Sequence, residues 1–133
     1  MKNRSVVVSI ILLIALFLIF LIRRWNEPAP KEAFDRHPTS LSFTKHARCR
    51  MDCRHISEEE IREIMGKGII NFNHSNKRDR PCPTFALQGR TTSGESIRVI
   101  FAQCPTETKV VTCYNLEEDF ECSCPGDEKK KRY

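Results

Sequence analysis

The sequence predicts an α+β fold in which an N-terminal transmembrane helix precedes two helices packed on a four-stranded antiparallel sheet. Three observations support this prediction. An apolar run near the start of the chain is long enough for a membrane helix. Two capping patterns follow it, each ahead of a helix-forming segment. The second half of the chain then alternates apolar and polar residues in segments separated by turn residues.

The apolar run extends from Val6 to Ile22 and is interrupted only by Ser9. At a rise of about 1.5 Å per residue it spans about 26 Å, the short end of the range for a membrane helix. A cleaved signal peptide is the alternative. The run is, however, longer than the usual apolar segment of about 7–15 residues, and Arg23-Arg24-Trp25 offers no small-residue cleavage site. We therefore predict an uncleaved single-pass anchor over residues 1–25.

Two observations give opposite indications of the side of the membrane on which the rest of the chain lies. Basic residues flank the apolar run on both sides, and the larger number after it favours a cytoplasmic domain. Seven cysteines are more typical of an oxidising compartment. The expected location is the bacterial inner membrane. The side stays open, and the cysteines tilt it toward the extracytoplasmic space.

The net charge says little about partners. The chain has 22 Lys and Arg against 17 Asp and Glu, but Lys2, Arg4, Arg23 and Arg24 flank the apolar run. Without these four, bases and acids almost balance, so the composition does not indicate a nucleic-acid-binding protein.

Composition divides the rest of the chain into three parts. Residues 26–41 form a predicted linker, because Pro28, Pro30 and Pro38 lie among charged residues with no apolar period. Residues 42–116 form the predicted α-α-β-β-β-β domain, and residues 117–133 a charged tail that contains cysteine. A core of this size is marginal by itself, so disulfides or a metal would be useful.

Two helices are expected at the start of the domain. Thr44 is a predicted N-cap for a helix over Lys45–Arg54. Ser57 and Glu60 form a capping box for the second helix. The apolar stripe of that helix consists of Ile61, Ile64 and Met65, and Gly66 and Gly68 are expected to end it.

Four strands are expected next, separated at one point by a long loop over His74–Pro83. The strands are Ile69–Asn73, Thr84–Arg90, Glu95–Cys104 and Lys109–Leu116. The turn at 91–94 predicts a hairpin in which the numbers of facing residues sum to about 186, and the next turn a hairpin with sums of about 212. The predicted core face carries Phe85, Leu87, Ile97, Val99, Phe101, Val111 and Cys113; the opposite face carries Gln88, Arg90, Arg98, Ile100, Thr112 and Tyr114.

Motifs in both the helical and the strand segments carry a family resemblance. They are Thr44–Arg48, Arg50-Met51, Arg54 and Ile56–Ile61, followed by Arg98-Val99-Ile100 and Val110-Val111-Thr112. Together they resemble the bacterial domain-of-unknown-function family 4258 over about residues 43–114. That family is similar in layout to small RelE- and BrnT-like toxins, some of which are ribonucleases, so the resemblance implies RNA cleavage as one function to consider. The apolar run and the cysteines depart from that pattern.

The predicted register places a candidate catalytic group on the face opposite the core. Arg98 faces Gln88 on one side and Tyr114 on the other. Metal-independent ribonuclease chemistry needs a cation for the developing phosphorane and a proton donor or acceptor. Arg98 and Tyr114 could provide these, with His46 and Arg50 adding charge from the first domain helix. An ordinary solvent-facing sheet surface is the alternative and is favoured, because the sheet itself lacks a general base.

The cysteines allow two interpretations. His46, Cys49 and Cys53 share one stripe of the first domain helix, so a structural zinc could be held by these residues with Cys122 or Cys124, or by the four cysteines alone. Alternatively, two disulfides join the same helix to the tail. The expected distance between Cys49 and Cys53 on a helix and that between Cys122 and Cys124 on a strand are both about 6–7 Å. The register also places Cys82 opposite Cys104, a predicted cross-strand disulfide, and leaves Cys113 free on the core face.

The leading functional interpretation is a membrane-anchored, cysteine-stabilised binding or accessory module without enzymatic activity. The first alternative is a RelE-like ribonuclease or nucleic-acid-binding domain, and the second is a cytoplasmic zinc-stabilised module. The expected partners are the membrane and an unidentified protein, ahead of a nucleic acid. The expected cofactor is none, or one structural zinc.

Overall fold

The chain divides into two compact units, and the computed structural model describes residues 2–25 of the first and 33–127 of the second. The first unit contains helix α1 (Lys2–Trp25). It is long and apolar enough to cross a membrane, a criterion that a signal sequence near an N-terminus also meets. The first part of the predicted linker (26–32) and the end of the predicted tail (128–133) lie outside the described residues.

The second unit is an α+β domain with two helices and five strands. Its elements are β1 (Leu41–Phe43), α2 (Lys45–Arg54), α3 (Glu58–Lys67), β2 (Ile69–Asn76), β3 (Thr84–Arg90), β4 (Ser96–Gln103) and β5 (Thr108–Asn115). The strands form one sheet in the order β1-β5-β4-β3-β2. The α+β class and the succession of the last four strands along the chain are as predicted.

The sheet differs from the prediction in having a fifth strand, which makes it mixed. Strand β1 pairs in parallel with β5, and Leu41 faces Thr108. The remaining pairs are antiparallel, as expected. Since β1 has only three residues and pairs with a segment far along the chain, its sequence carries no measurable apolar period.

Both predicted hairpin registers are present, and the second changes at a bulge. Gln88 faces Arg98 in the first hairpin, and Arg98 faces Tyr114 in the second. Beyond the pair Ile100–Thr112 the register shifts, so that Phe101 faces Val110. The prediction that Val111 lies in the core is therefore wrong. One extra residue on β5 reverses its alternation, Val110 becomes buried, and Val111 turns to the opposite face.

The core lies between the helices and one face of the sheet. Helix α2 packs on β5, and α3 packs on β3 and β4. The largest fully buried side chains are Phe34, Phe101, Ile61, Ile64, Leu87, Ile97, Val99, Val110, Thr108 and Cys113. The helical stripe and the alternating strand residues of the predicted core are thus buried together, with Val110 in place of Val111.

Phe34 belongs to this core although it lies within the predicted linker. It is 1% exposed. Its ring centroid lies 5.6 Å from that of Phe85 and 5.4 Å from that of Phe101. The charged and proline-rich neighbours of Phe34 hide this role, because a single apolar residue has no period to detect.

Both helices begin at the predicted caps. The Thr44 side chain accepts a hydrogen bond from the Ala47 backbone N–H, and Ser57 and Glu60 form the reciprocal capping box. Helix α3 continues through Gly66 and ends at Lys67, and Gly68 is its C-cap. Of the two glycines expected to end the helix, Gly68 is the one that does so.

Gly66 and Gly68 should respond in opposite ways to alanine. A Cβ at Gly66 would meet nothing within 4 Å, and alanine is the better helix former, so Gly66→Ala should raise the free energy of unfolding by about 0.5–1 kcal/mol. A Cβ at Gly68 would lie 2.5 Å from the Ile64 carbonyl oxygen and 3.3 Å from that of Gln88. Gly68→Ala should therefore destabilise by about 1–3 kcal/mol. Chemical denaturation of the two variants checks this, and equal shifts would contradict the packing of α3 on β3.

Strand β2 runs to Asn76, three residues further than predicted, and bulges between Asn71 and Asn76. The Ser75 hydroxyl donates to the Asn71 carbonyl at 2.7 Å and accepts from the Ala86 N–H at 2.9 Å. This side chain replaces the missing ladder bonds across the bulge, so part of the predicted loop belongs to the sheet.

Candidate functional site

The sheet face opposite the helices carries the predicted pair Arg98 and Tyr114. Arg98 Nε donates to Gln88 Oε1 at 2.9 Å, and Asn71 Nδ2 donates to the same oxygen at 3.0 Å. These bonds hold Arg98 along the sheet surface. Tyr114 is 39% exposed.

Helix α2 adds a second cation beside Tyr114. The Arg54 guanidinium lies 4.8 Å from the centroid of the Tyr114 ring and donates to the Cys113 backbone carbonyl. Arg54 and Arg98 thus approach Tyr114 from a helix and from a neighbouring strand. The arrangement can attract an anion, but no carboxylate or imidazole among the described residues bonds to Tyr114 or Arg98 as a general base.

His46 and Arg50 bond to the tail. His46 Nδ1 is 2.9 Å from the Pro125 carbonyl oxygen, so it donates to that oxygen and leaves Nε2 to accept from Arg50 Nε at 3.4 Å. Arg50 also pairs with Asp127 at 2.6 Å. Within the described part of the chain, no hydrogen bond or ion pair joins these residues to Arg98 or Tyr114. The hydrogen bonds of the described residues thus place these side chains in two separate networks, Arg98 with Gln88 and His46 with Arg50 and the tail.

The tail is fastened to α2 by two disulfides, Cys49–Cys124 and Cys53–Cys122, which we call the tail clamp. The Cα–Cα distances are 5.8 and 6.0 Å, within the usual range for a disulfide. The distance between Cys49 and Cys53 on the helix matches that between Cys122 and Cys124 in the tail. The disulfide interpretation of the sequence requires this match.

The tail clamp also occupies the sulfurs that the zinc alternative needs. Zinc binds cysteine as thiolate, and a disulfide sulfur is not a thiolate. Among residues 2–25 and 33–127, no group of three or more His, Cys, Asp or Glu side chains is arranged to hold a metal ion. In this structure the four cysteines among the predicted metal ligands serve as covalent links.

Asp127 completes the contact between the tail and α2. Its carboxylate accepts the Cys124 backbone N–H at 2.9 Å and faces Arg50. The Cys124 N–H, and then the positive charge of Arg50, lower the pKa of Asp127 below its ordinary value. Arg50 and His46 thereby act as anchoring residues for the tail.

The third disulfide, Cys82–Cys104, lines a cavity that the sequence does not predict. Its Cα–Cα distance is 5.0 Å, and its position matches the pairing predicted from the hairpin register. The cavity has a volume of about 340 Å³. It is mostly apolar and is lined by Thr44, Asp79, Arg80, Pro81, Cys82, Thr84, Ala102, Cys104, Lys109 and Val111.

The floor of the cavity is a row across three strands. Thr84 of β3 faces Ala102 of β4, and Ala102 faces Lys109 of β5. Val111 joins this floor because the β5 bulge turns it away from the core. The predicted register contains the pair Thr84–Ala102. The bulge on β5 and the loop over the sheet have no local sequence pattern, so the sequence does not predict the cavity.

Comparison with known proteins gives a family and nothing closer. The family model described as a domain of unknown function, DUF4258, matches residues 43–115, more than half of the 133 residues. No curated protein and no solved structure matches the chain. The matched segment begins at the end of β1 and ends with β5, so it contains both helices and the four antiparallel strands. The chain therefore belongs to the DUF4258 family of domains of unknown function.

Proposed function

We propose that this chain is a membrane-anchored binding module whose disulfide-stabilised domain lies in an oxidising, extracytoplasmic space. The observation that carries the proposal is the pairing of six of the seven cysteines in three disulfides. Disulfides form and persist in oxidising compartments and are rare in the cytosol. The apolar helix α1 supports the membrane part of the proposal. Its side chains from Val6 to Ile22 are exposed, and a lipid bilayer would remove them from water.

The contacts of the predicted catalytic residues support binding over catalysis. His46 and Arg50 hold the tail, and Arg98 is bonded to Gln88. The cavity beside Cys82–Cys104 offers instead a concave, mostly apolar surface with a few polar groups, the usual character of a ligand site. The proposed partner is therefore a molecule with an apolar part that this cavity can bury.

A second candidate, a RelE-like ribonuclease or nucleic-acid-binding domain, is favoured by one observation. Arg54 joins Arg98 beside Tyr114, which places two cations around one phenol on an exposed sheet face. A phosphodiester would be attracted there. Such a function requires the domain to meet RNA in the cytoplasm, and this requirement separates the two candidates.

The state of the thiols tests the leading proposal. Cys113 is the free cysteine; it is fully buried, and burial raises the pKa of its thiol to about 12. The full chain, purified without reductant from membranes of its natural compartment, should show no reactive thiol when folded and one per chain after unfolding. Seven reactive thiols would overturn the proposal.

Reporter fusions at the C-terminus of the full chain give the independent test. A reporter active only outside the inner membrane should give the signal, and one that fluoresces only in the cytoplasm should not. The opposite result would remove the proposed compartment and make RNA cleavage the next assay, with Arg98→Ala expected to abolish it.

A further inference from the structure

The cavity beside Cys82–Cys104 carries an inference that rests on the proposed binding function and specifies it. The loop that follows β2 covers the row of Thr84, Ala102 and Lys109 and leaves a volume of about 340 Å³. Ligand cavities usually measure about 300–1,000 Å³, so this one suits a small group. Its mostly apolar lining requires that the part of the ligand inside be apolar.

The charges around the cavity are not all equally available. Asp79 Oδ1 accepts from Asn76 Nδ2 at 3.1 Å, and Asp79 Oδ2 accepts from the Thr84 hydroxyl at 2.8 Å. Lys109 Nζ lies 2.8 Å from a Glu107 carboxylate oxygen. The acid and one of the two bases that line the cavity therefore already have partners.

Arg80 is different. It lines the cavity and is exposed, and it has no hydrogen bond, ion pair or ring contact with the residues that the structure describes. Long basic side chains place their carbon stems along apolar surface and their charge in water, so Arg80 can border the cavity while its guanidinium stays at the mouth. Counted over the described residues, the site thus has one uncompensated positive charge beside an apolar interior.

We infer that this cavity binds a carboxylate attached to an apolar group of a few carbons, with the apolar group over Ala102 and Val111 and the carboxylate on Arg80. A planar guanidinium matches a carboxylate with two parallel hydrogen bonds. A single free cation balances one negative charge, whereas a phosphate dianion would need the already paired Lys109. The same chemistry is offered by a free short-chain acid and by the C-terminal residue of a peptide.

The bulge on β5 supports this assignment. Without the extra residue, Val111 would lie in the core, as regular alternation predicts, and this part of the cavity floor would lack its apolar side chain. Bulges commonly re-aim a side chain beside a functional site. Here the bulge supplies the apolar contact, and the disulfide links two other lining residues, Cys82 and Cys104.

The test is a titration of the full oxidised chain in lipid nanodiscs, followed by the methyl signals of alanine, valine and leucine. Hexanoate should shift the signals of Ala102 and Val111 in a saturable way and leave those of Leu87 and Val99 in the core unchanged. Empty nanodiscs correct for hexanoate that enters the lipid. The absence of a saturable shift, both with hexanoate and with a short peptide that ends in leucine, would overturn the inference.

Two arginines provide a matched pair of variants. Arg80→Gln should weaken hexanoate binding about tenfold, the effect expected from losing a charged hydrogen bond. Arg78→Gln, which changes an exposed arginine outside the cavity lining, should leave binding unchanged. Unchanged Leu87 and Val99 signals establish that both variants are folded. Equal effects of the two substitutions would overturn the role of Arg80.

A short peptide ending in leucine, compared with its C-terminal amide, distinguishes the two sources of the carboxylate. Tighter binding of the peptide acid than of hexanoate assigns the site to peptide termini, and binding of hexanoate alone assigns it to free acids. Equal binding of peptide acid and amide would contradict carboxylate recognition. A chain that passes the thiol and reporter tests but fails this titration loses only the ligand inference. A cytoplasmic reporter signal removes the proposed compartment and leaves the titration interpretable.

Discussion

Replacing all four cysteines of the tail clamp by serine should lower the free energy of unfolding by about 7 kcal/mol, more than the two bridges cost when removed one at a time. Each bridge alone closes a long loop, with sequence separations of 75 and 69 residues. By loop-closure entropy, such a bridge is worth about 4.4 kcal/mol. The loss of about 7 kcal/mol for the fourfold replacement approaches the whole stability of an ordinary domain.

The second bridge contributes less because the first has already closed the loop. With Cys53–Cys122 intact, Cys49–Cys124 closes only a small ring formed by residues 49–53 and 122–124. Such a ring is worth about 2.5 kcal/mol. Each paired serine replacement should therefore cost about 2.5 kcal/mol, and the fourfold replacement should exceed the sum of the two by about 2 kcal/mol.

Chemical denaturation of the full chain in detergent, followed by circular dichroism, measures these differences. Cys113→Ala serves as the control, since it removes a thiol that belongs to no bridge. Strictly additive costs for the two bridges would contradict the closure argument. A negligible cost for the fourfold replacement would show that the tail is not held through these cysteines.

Phe34→Ala should destabilise the domain by about 3–5 kcal/mol, the usual cost of emptying a buried phenylalanine site. Phe34 lies between Phe85 and Phe101 and is 1% exposed, so its removal leaves a cavity lined by two aromatic rings. The same denaturation measurement applies.

Phe72→Ala is the matched control for this prediction. Phe72 is 57% exposed on the edge strand β2, where its principal contact is the Lys77 ammonium, 5.0 Å from the ring centroid. Its replacement should change the unfolding free energy by about 0.5 kcal/mol or less. Similar costs for the two phenylalanines would mean that Phe34 does not belong to the core.

The features that the sequence predicts correctly are those with a local pattern. Thr44 and Ser57 cap their helices because each lies directly before a helix-forming segment. The turn before Glu95 determines the register of β3 and β4, and this register in turn places Cys82 opposite Cys104. Family membership follows from the same segments.

The features that the sequence does not predict depend on contacts between distant residues. Strand β1 is defined by its pairing with β5, and Phe34 by rings far along the chain. Val111 leaves the core through a bulge whose position no local pattern indicates. For the candidate site, the pairing of Arg98 with Tyr114 follows from the register, whereas the engagement of His46 by the tail does not.

The tail clamp also affects what happens when the main chain is cut. Cys49–Cys124 and Cys53–Cys122 join segments on either side of residues 54–121, which contain α3 and the strands β2 to β5. A protease that cleaves one peptide bond in that interval produces two polypeptides that the disulfides still hold together. The nicked protein therefore keeps both fragments until a reductant reaches the bridges, and a cut within residues 54–121 does not by itself release either fragment.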